Sequence, residues 1–359
     1  MKYLSEYRNP ELIKFCVDEL HKITTKPWNI MEICGGQTHS LVKNGILDIL
    51  PKPIQMIHGP GCPVCVTPLK LIDKAVDLLT KDVIVCSFGD MVRVPGSEKS
   101  LLEAKAEGGD LRIVYSPLEA VHIARDNPNK EVVFFAVGFE TTAPSNALSV
   151  LHAEKLNLNN FSLLVSHVLV PPAMEAILDD KFCNINGFLA AGHVCAIMGI
   201  QEYKPLVERY KIPIVVTGFE PVDIIEGIYL TVKQLERGAH LLENQYSRVV
   251  KPQGNKAARE AIATIFEVGA REWRGIGEIP DSGYVIRKEY EKYNAEIKFD
   301  LNEVKTSKQT LCIAGEILKG KKKPQDCNQF GKRCIPENPL GAPMVSSEGA
   351  CAAYYNFSV

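Results

Sequence analysis

Eleven cysteines stand in a chain of 359 residues, and their spacing is what could do chemistry. Four of them, Cys312, Cys327, Cys334 and Cys351, fall in a Gly- and Pro-rich stretch as C-x14-C-x6-C-x16-C. Thiolates are soft ligands, suited to a tetrahedral zinc or to an iron–sulfur cluster. Structural zinc sites usually contain a short chelate of two cysteines, which these four lack. Single ligands wrapped around a larger [4Fe–4S] cubane fit better; zinc, or unrelated buried thiols, are the alternatives. A second group is His58-Gly-Pro-Gly-Cys62-Pro-Val-Cys65-Val-Thr-Pro68, between an apolar run and a helical stretch. A C-x-x-C at a helix N-terminus is expected to have lowered thiol pKa values, which suits a redox dithiol or metal binding. The third is Met31-Glu-Ile-Cys34-Gly-Gly-Gln-Thr-His39. Cys34 ends a strand, Gly35 and Gly36 offer N–H donors for an anion, and His39 could ligate or shuttle a proton.

These groups need a frame. Short apolar runs recur at Ile30–Ile33, Ile54–Ile57, Val83–Cys86, Leu111–Tyr115, Val132–Val137, Phe161–Val165, Phe188–Ala191 and Ile214–Val216. Runs without alternation read as strands buried on both faces, and stretches of helical spacing lie between them. The expectation is α/β, as two similar lobes, each a small, mostly parallel sheet with flanking helices. The runs divide into two sets of four near residues 126–130, predicting lobes at 27–128 and 129–220. Val137-Gly-Phe-Glu140 and Thr217-Gly-Phe-Glu220 echo each other, which hints at duplication. The remainder, 221–359, possibly with 1–26, is expected to form a small, mainly helical and irregular iron–sulfur domain. Ligands bind at the C-terminal ends of parallel strands. Glu140, Glu220, Asp90 and His193 fall at such ends, with Glu140 and His193 as the candidates for acid–base roles.

Composition narrows the function. Apolar residues are 46% and charged residues 23%, ordinary for a globular chain, and 41 basic against 43 acidic side chains leave a net charge of −2. No basic face is expected, so nucleic acid is not a predicted partner. No apolar run approaches a membrane span, and the first residues lack a signal-peptide pattern, so the predicted location is cytoplasmic. No dinucleotide-binding G-x-G-x-x-G occurs. Gly315-Glu-Ile-Leu-Lys-Gly-Lys321 lacks the Ser/Thr of a phosphate loop, and no C-x3-C-x2-C supports radical chemistry.

Cys34-Gly-Gly-Gln-Thr-His39, Gly59-Pro-Gly-Cys-Pro-Val-Cys65, Gly138-Phe-Glu-Thr-Thr142, Ala191-Gly-His193, Thr217-Gly-Phe-Glu-Pro-Val-Asp223 and Met344-Val-Ser-Ser-Glu-Gly-Ala-Cys351 together resemble the HypD family of [NiFe]-hydrogenase maturation factors. Two departures are visible. Gln37 stands where some members carry His, and Ile-Ala separates Cys312 from Gly315-Glu316. The resemblance implies a scaffold that assembles the Fe(CN)2CO centre with the small chaperone HypC and receives cyanide groups from HypE. By the same resemblance Cys34 would hold iron jointly with HypC. Cys62 and Cys65 would be a redox pair, and Cys312, Cys327, Cys334 and Cys351 would ligate a [4Fe–4S] cluster supplying electrons. A thiol–disulfide oxidoreductase driven by an iron–sulfur cluster is the competing expectation, and would not need Cys34.

Overall fold

The computed structural model describes residues 6–301 and 311–357. All eight apolar runs are strands: β1 (Trp28–Glu32), β2 (Ile54–His58), β3 (Ile84–Ser87), β4 (Leu111–Ile113), β5 (Val132–Gly138), β6 (Phe161–His167), β7 (Gly187–Ala191) and β8 (Ile214–Thr217). β5 and β6 are buried at every position, as unalternating runs require when helices cover both faces of a sheet. Three further strands follow, β9 (Leu242–Asn244), β10 (Phe266–Trp273) and β11 (Gly277–Ile286).

The strands form two parallel sheets, in the orders β2-β1-β7-β8-β9 and β4-β3-β5-β6. Numbered within its own sheet, each reads 2-1-3-4, and the first adds a fifth strand. The lobes are therefore alike in topology, as expected for this α/β fold. They are not consecutive, however. β1 and β2 pair with β7 and β8, while β3 to β6 form an insertion with its own sheet, so a boundary at 128/129 would cut through the second sheet. The turn near 126–130 only links the helix Pro117–Asp126 to β5. The Gly-Phe-Glu echo also falls at unlike places, after the third strand of one sheet and the fourth of the other, so it does not mark equivalent positions.

Residues assigned to a C-terminal domain are likewise spread out. The helix Pro221–Glu236 and the N-terminal helix Pro10–Ile23 pack together on the first sheet, with Leu20, Ile224, Ile225, Ile228 and Val232 in one core. The helix Lys256–Ile265 packs on the second sheet through Ile262 and Ile265. β10 and β11 form an antiparallel hairpin where few strand signals were expected. Its burial pattern is interrupted by Gly, Pro and charged residues, which hides the alternation. Between the lobes, Trp273 stacks on Phe139 with centroids 6.0 Å apart, and Leu169 N–H donates to Ser282 O at 2.8 Å. The cysteine-bearing segment 311–357 is irregular apart from short helices, chiefly Ala314–Leu318 and Ala350–Phe357. No helix among the described residues is long and apolar enough to cross a membrane.

Candidate functional site

In a sheet of order 2-1-3-4 the crossovers leave in opposite directions from the first and third strands, opening a crevice at their C-terminal ends. In the first sheet those strands are β1 and β7. Cys34 follows β1 and caps the helix Gly35–Lys43, while His193 follows β7 in the helix Gly192–Met198. The crevice brings them together: Cys34 Sγ lies 3.8 Å from His193 Nδ1 and 4.0 Å from Nε2. Phe219, after β8, closes one side with its ring edge-on to His193 at 5.1 Å and against Gly36. The backbone N–H groups of Gly36 and Gln37 point at the Cys34 sulfur. The Gly35 N–H is not free for an anion, because it donates to Gly61 O at 2.8 Å. The glycine turn therefore cradles the sulfur more than an external ligand. Burial pushes the Cys34 thiol well up, Glu348 adds to this, and the two N–H groups oppose it. Burial also lowers His193 to about 4. The pair is a neutral imidazole beside a protonated thiol, and such a thiol loses its proton when a soft metal displaces it.

The turn that carries Cys34 is packed without slack. A Cβ on Gly61 would sit 2.2–2.5 Å from Cys34 N, Cys34 Cα and Ile33 C. A Cβ on Gly35 would sit 2.4 Å from Glu348 Cβ and O. Glu348 belongs to the Ser346–Gly349 turn, which Ser346 Oγ ties to Asp90 at 3.0 Å. Its carboxyl is raised by the surrounding protein and then by Asp90, although the residue retains exposure. Beneath Cys34 lies the fully buried Glu32, which accepts from Cys34 N at 3.0 Å, from Thr38 Oγ1, and from His58 Nδ1 at 2.7 Å. His58 Nε2 reaches Tyr354 OH at 2.9 Å. One hydrogen-bonded chain thus joins the Cys34 turn, the segment leading to Cys62, and the helix carrying Cys351. Sequence reasoning missed Glu32, His58 and Tyr354. Glu32 and His58 border the cysteine motifs, which was the available signal, whereas Tyr354 had none.

Cys62 caps a helix of only four residues, Pro63–Val66, and its sulfur accepts from Cys65 N at 3.2 Å. The expected lowering of the thiol pKa does not hold for Cys65. Burial raises it well above the ordinary value, and the hydrogen bond and charge of Cys62 add to that. So short a helix has a weak dipole, and desolvation wins. Cys351 is among the charges that act on Cys65, so the two motifs are neighbours. Cys62 and Cys65 are not joined by a disulfide.

Cys312, Cys327, Cys334 and Cys351, dispersed in sequence, line one small cavity with Ile313, Ile317, Phe330 and Leu340. Burial raises Cys351, and the other three cysteines then raise it further. Leu340 N–H donates to Cys334 Sγ at 3.4 Å, and a Cβ on Gly341 would lie 2.2 Å from Cys312 Sγ. Among the described residues no set of three His, Cys, Asp or Glu side chains is arranged to hold a single metal ion. Four thiols in an apolar wall, spread around a cavity, fit a multinuclear iron–sulfur group, which would supply one-electron chemistry there.

Two candidates stand apart from Cys34. His39 faces the C-terminal segment, with Nδ1 3.2 Å from Ser347 O and its ring edge-on to Phe357 at 5.2 Å. Glu140 is fully buried at the end of β5 and accepts from Val170 N at 2.9 Å, with Oε2 unpartnered. Burial pushes it up to about 8, and its charged neighbours include Cys195 and Tyr203 rather than Cys34. Glu220 pairs with Arg8 at 2.5 Å near the start of its helix.

Two parallel lobes, one inserted in the other, with a buried cysteine beside a histidine in a sheet crevice and four cysteines around one cavity, define a cysteine-rich α/β protein. The family described as HypD, "Hydrogenase formation hypA family", matches residues 11–358. The chain is 46% identical to the hydrogenase maturation factor HypD2 of Bradyrhizobium diazoefficiens, covering 99% of this chain and 97% of that protein. It is 45% identical to hydrogenase maturation factor HypD of Rhodobacter capsulatus and 42% to that of Escherichia coli, each over 99% of this chain and 98% of the relative. The chain belongs to the HypD family, and its role is in hydrogenase maturation.

Proposed function

We propose that this chain is the cytoplasmic scaffold on which the Fe(CN)2CO centre of [NiFe]-hydrogenase is assembled, with iron held between Cys34 and a cysteine of HypC. The observation that carries this is the placement of Cys34 in the β1/β7 crevice, 3.8 Å from a neutral His193 and with two N–H groups aimed at its sulfur. A low-spin iron carrying cyanide and carbonyl favours a soft thiolate. The iron is cargo: its binding releases the Cys34 proton to solvent, and Gly36 and Gln37 then hold the sulfur's charge. Cyanide groups would arrive from HypE, a transient partner. Cys62 and Cys65 act as a dithiol, and the four-cysteine cavity holds a [4Fe–4S] cluster that supplies electrons.

The test is a Cys34→Ala variant co-purified anaerobically with HypC and read by infrared spectroscopy. Loss of the cyanide and carbonyl bands, with the iron and sulfide of the cluster retained, is the expected result. Bands of unchanged intensity would refute the role of Cys34 and favour a thiol–disulfide oxidoreductase, which needs the cluster and C-x-x-C alone.

A further inference from the structure

The Thr217-Gly-Phe-Glu-Pro-Val-Asp223 motif ends in Asp223, which is wholly buried. Its carboxylate takes both arms of the Arg248 guanidinium, with Nη1 at 2.7 Å and Nη2 at 2.6 Å. Gln245 Nε2 donates to the same carboxylate at 3.0 Å. The guanidinium in turn lies over two rings, 4.4 Å from the centroid of Tyr246 and 3.5 Å from that of Tyr7. Tyr246 follows β9, the edge strand of the first sheet, and its ring reaches the turns that leave β7 and β8. Two glycines make room for it. A Cβ on Gly192 would lie 2.5 Å from Tyr246 Cδ1, and one on Gly218 would lie 2.7 Å from Tyr246 Cε2. Gly192 immediately precedes His193, and Gly218 immediately precedes Phe219. The Tyr246 ring also meets Phe219 edge-on, with centroids 6.3 Å apart. Phe219 carries the contact on to His193 and to Gly36 beside Cys34. Both side chains that wall the Cys34 sulfur are therefore backed by one ring, and a bidentate ion pair holds the cation that lies on that ring.

We propose that Tyr246, clamped by Arg248 and Asp223, is a positioning residue of the Cys34 crevice: its ring fixes the turns that carry His193 and Phe219 and so keeps both side chains against the Cys34 sulfur. This rests on reading Cys34 as the residue that receives iron. The physical reason is packing. A ring wedged against two glycines leaves neither turn free to shift, since each backbone already stands at contact distance from it. Removing the ring opens space beside both turns, and the walls of the crevice relax into it. Cys34 is only 2% exposed with those walls in place, so their relaxation uncovers the sulfur. The contacts are made by ring carbons, which makes the phenol hydroxyl dispensable.

The test uses the full-length chain purified anaerobically without HypC and treated with iodoacetamide at fixed pH. Peptide mass spectrometry gives the alkylation rate of Cys34 and, in the same digest, that of Cys86, a fully buried cysteine of β3 in the other sheet. Tyr246→Leu is expected to raise the Cys34 rate about tenfold and to leave Cys86 unchanged, because the crevice opens locally while the second lobe keeps its packing. Tyr246→Phe, which keeps the ring, is expected to restore the wild-type rate. An unchanged Cys34 rate in the folded Leu variant overturns the proposal. Equal rises at Cys34 and Cys86, or a rise as large in the Phe variant, overturn it too. Should the Leu variant fail to fold, Arg248→Lys supplies the second reading. It keeps a charge for the buried Asp223 but loses the fork and the flat face against Tyr246, so the Cys34 rate should rise a few-fold, and no change would overturn the proposal. A crevice that responds as expected while the Cys34→Ala complex with HypC keeps its infrared bands would sink the iron reading and leave the positioning role intact.

Discussion

Replacing Gly61 by Ala tests how tightly the Cys34 turn is built. The new Cβ would lie 2.2 Å from Cys34 N and 2.4 Å from Cys34 Cα, both backbone atoms that no rotamer change can move. Restoring an ordinary contact of about 3.4 Å requires a shift of about 1 Å between two buried segments, and overpacking of this kind costs about 1–3 kcal/mol. The same shift pulls Gly61 O away from Gly35 N–H, a 2.8 Å bond. A buried amide left unpaired adds about 1–3 kcal/mol. Taking about 3 kcal/mol in all, the melting temperature should fall by about 4 °C at this chain length. The Cys34 sulfur should also leave its place beside His193, so iron carrying cyanide should be lost as well. Gly89→Ala is the control: its Cβ would meet only Ile113 Cγ2 at 3.8 Å, so a change within about 0.5 kcal/mol is expected. Calorimetry and infrared spectroscopy on the anaerobic protein read both effects. A Gly61→Ala protein with wild-type melting and wild-type bands would refute the argument that backbone contact holds Cys34 in place.

Three further outcomes follow from the geometry. Glu140 has a folded-state value near 8 against 4.5 when exposed, so the folded chain binds the extra proton and stability falls as pH rises from about 4.5 to about 8. At about 1.4 kcal/mol per unit the loss is at most about 5 kcal/mol; urea titrations across this range should show Glu140→Gln flattening the slope, and an unaltered slope would contradict it. Tyr354→Phe removes the hydroxyl that meets His58 and should cost about 1 kcal/mol, and in combination with His58→Gln the losses should be less than additive, because one hydrogen bond is shared. Cys351→Ser removes one of the four thiols of the cavity, and analysis of the anaerobic protein should find iron and sulfide well below the wild-type content while the Cys34 crevice still forms.

Much of this was legible one residue type at a time. Val132–Val137 and Phe161–Val165 read as strands buried on both faces, because neither alternates apolar with polar residues, and both are fully buried. Helical spacing placed helices at roughly 117–126 and 142–155, where the structure has Pro117–Asp126 and Ala143–Lys155. Cys34 at a strand end, with His193 at another, already suggested a common crevice. Other features were not legible. Nothing local says that β1 pairs with β7 across more than 150 residues, since any two apolar runs can pair and the choice is made by burial of the whole sheet. The Cys65 thiol looked activated from its place in the motif, yet its surroundings raise it.

The sequence alone determined the strand–helix alternation, the position of every thiol and the motifs that place the chain among hydrogenase maturation factors, because these depend on side-chain type and short-range spacing. Tertiary structure decided which strands share a sheet, that four distant cysteines face one cavity, and that Glu32, His58 and Tyr354 form one chain of hydrogen bonds. Pairing and desolvation are properties of what packs around a residue, and that environment exists only once segments far apart in the chain are brought together.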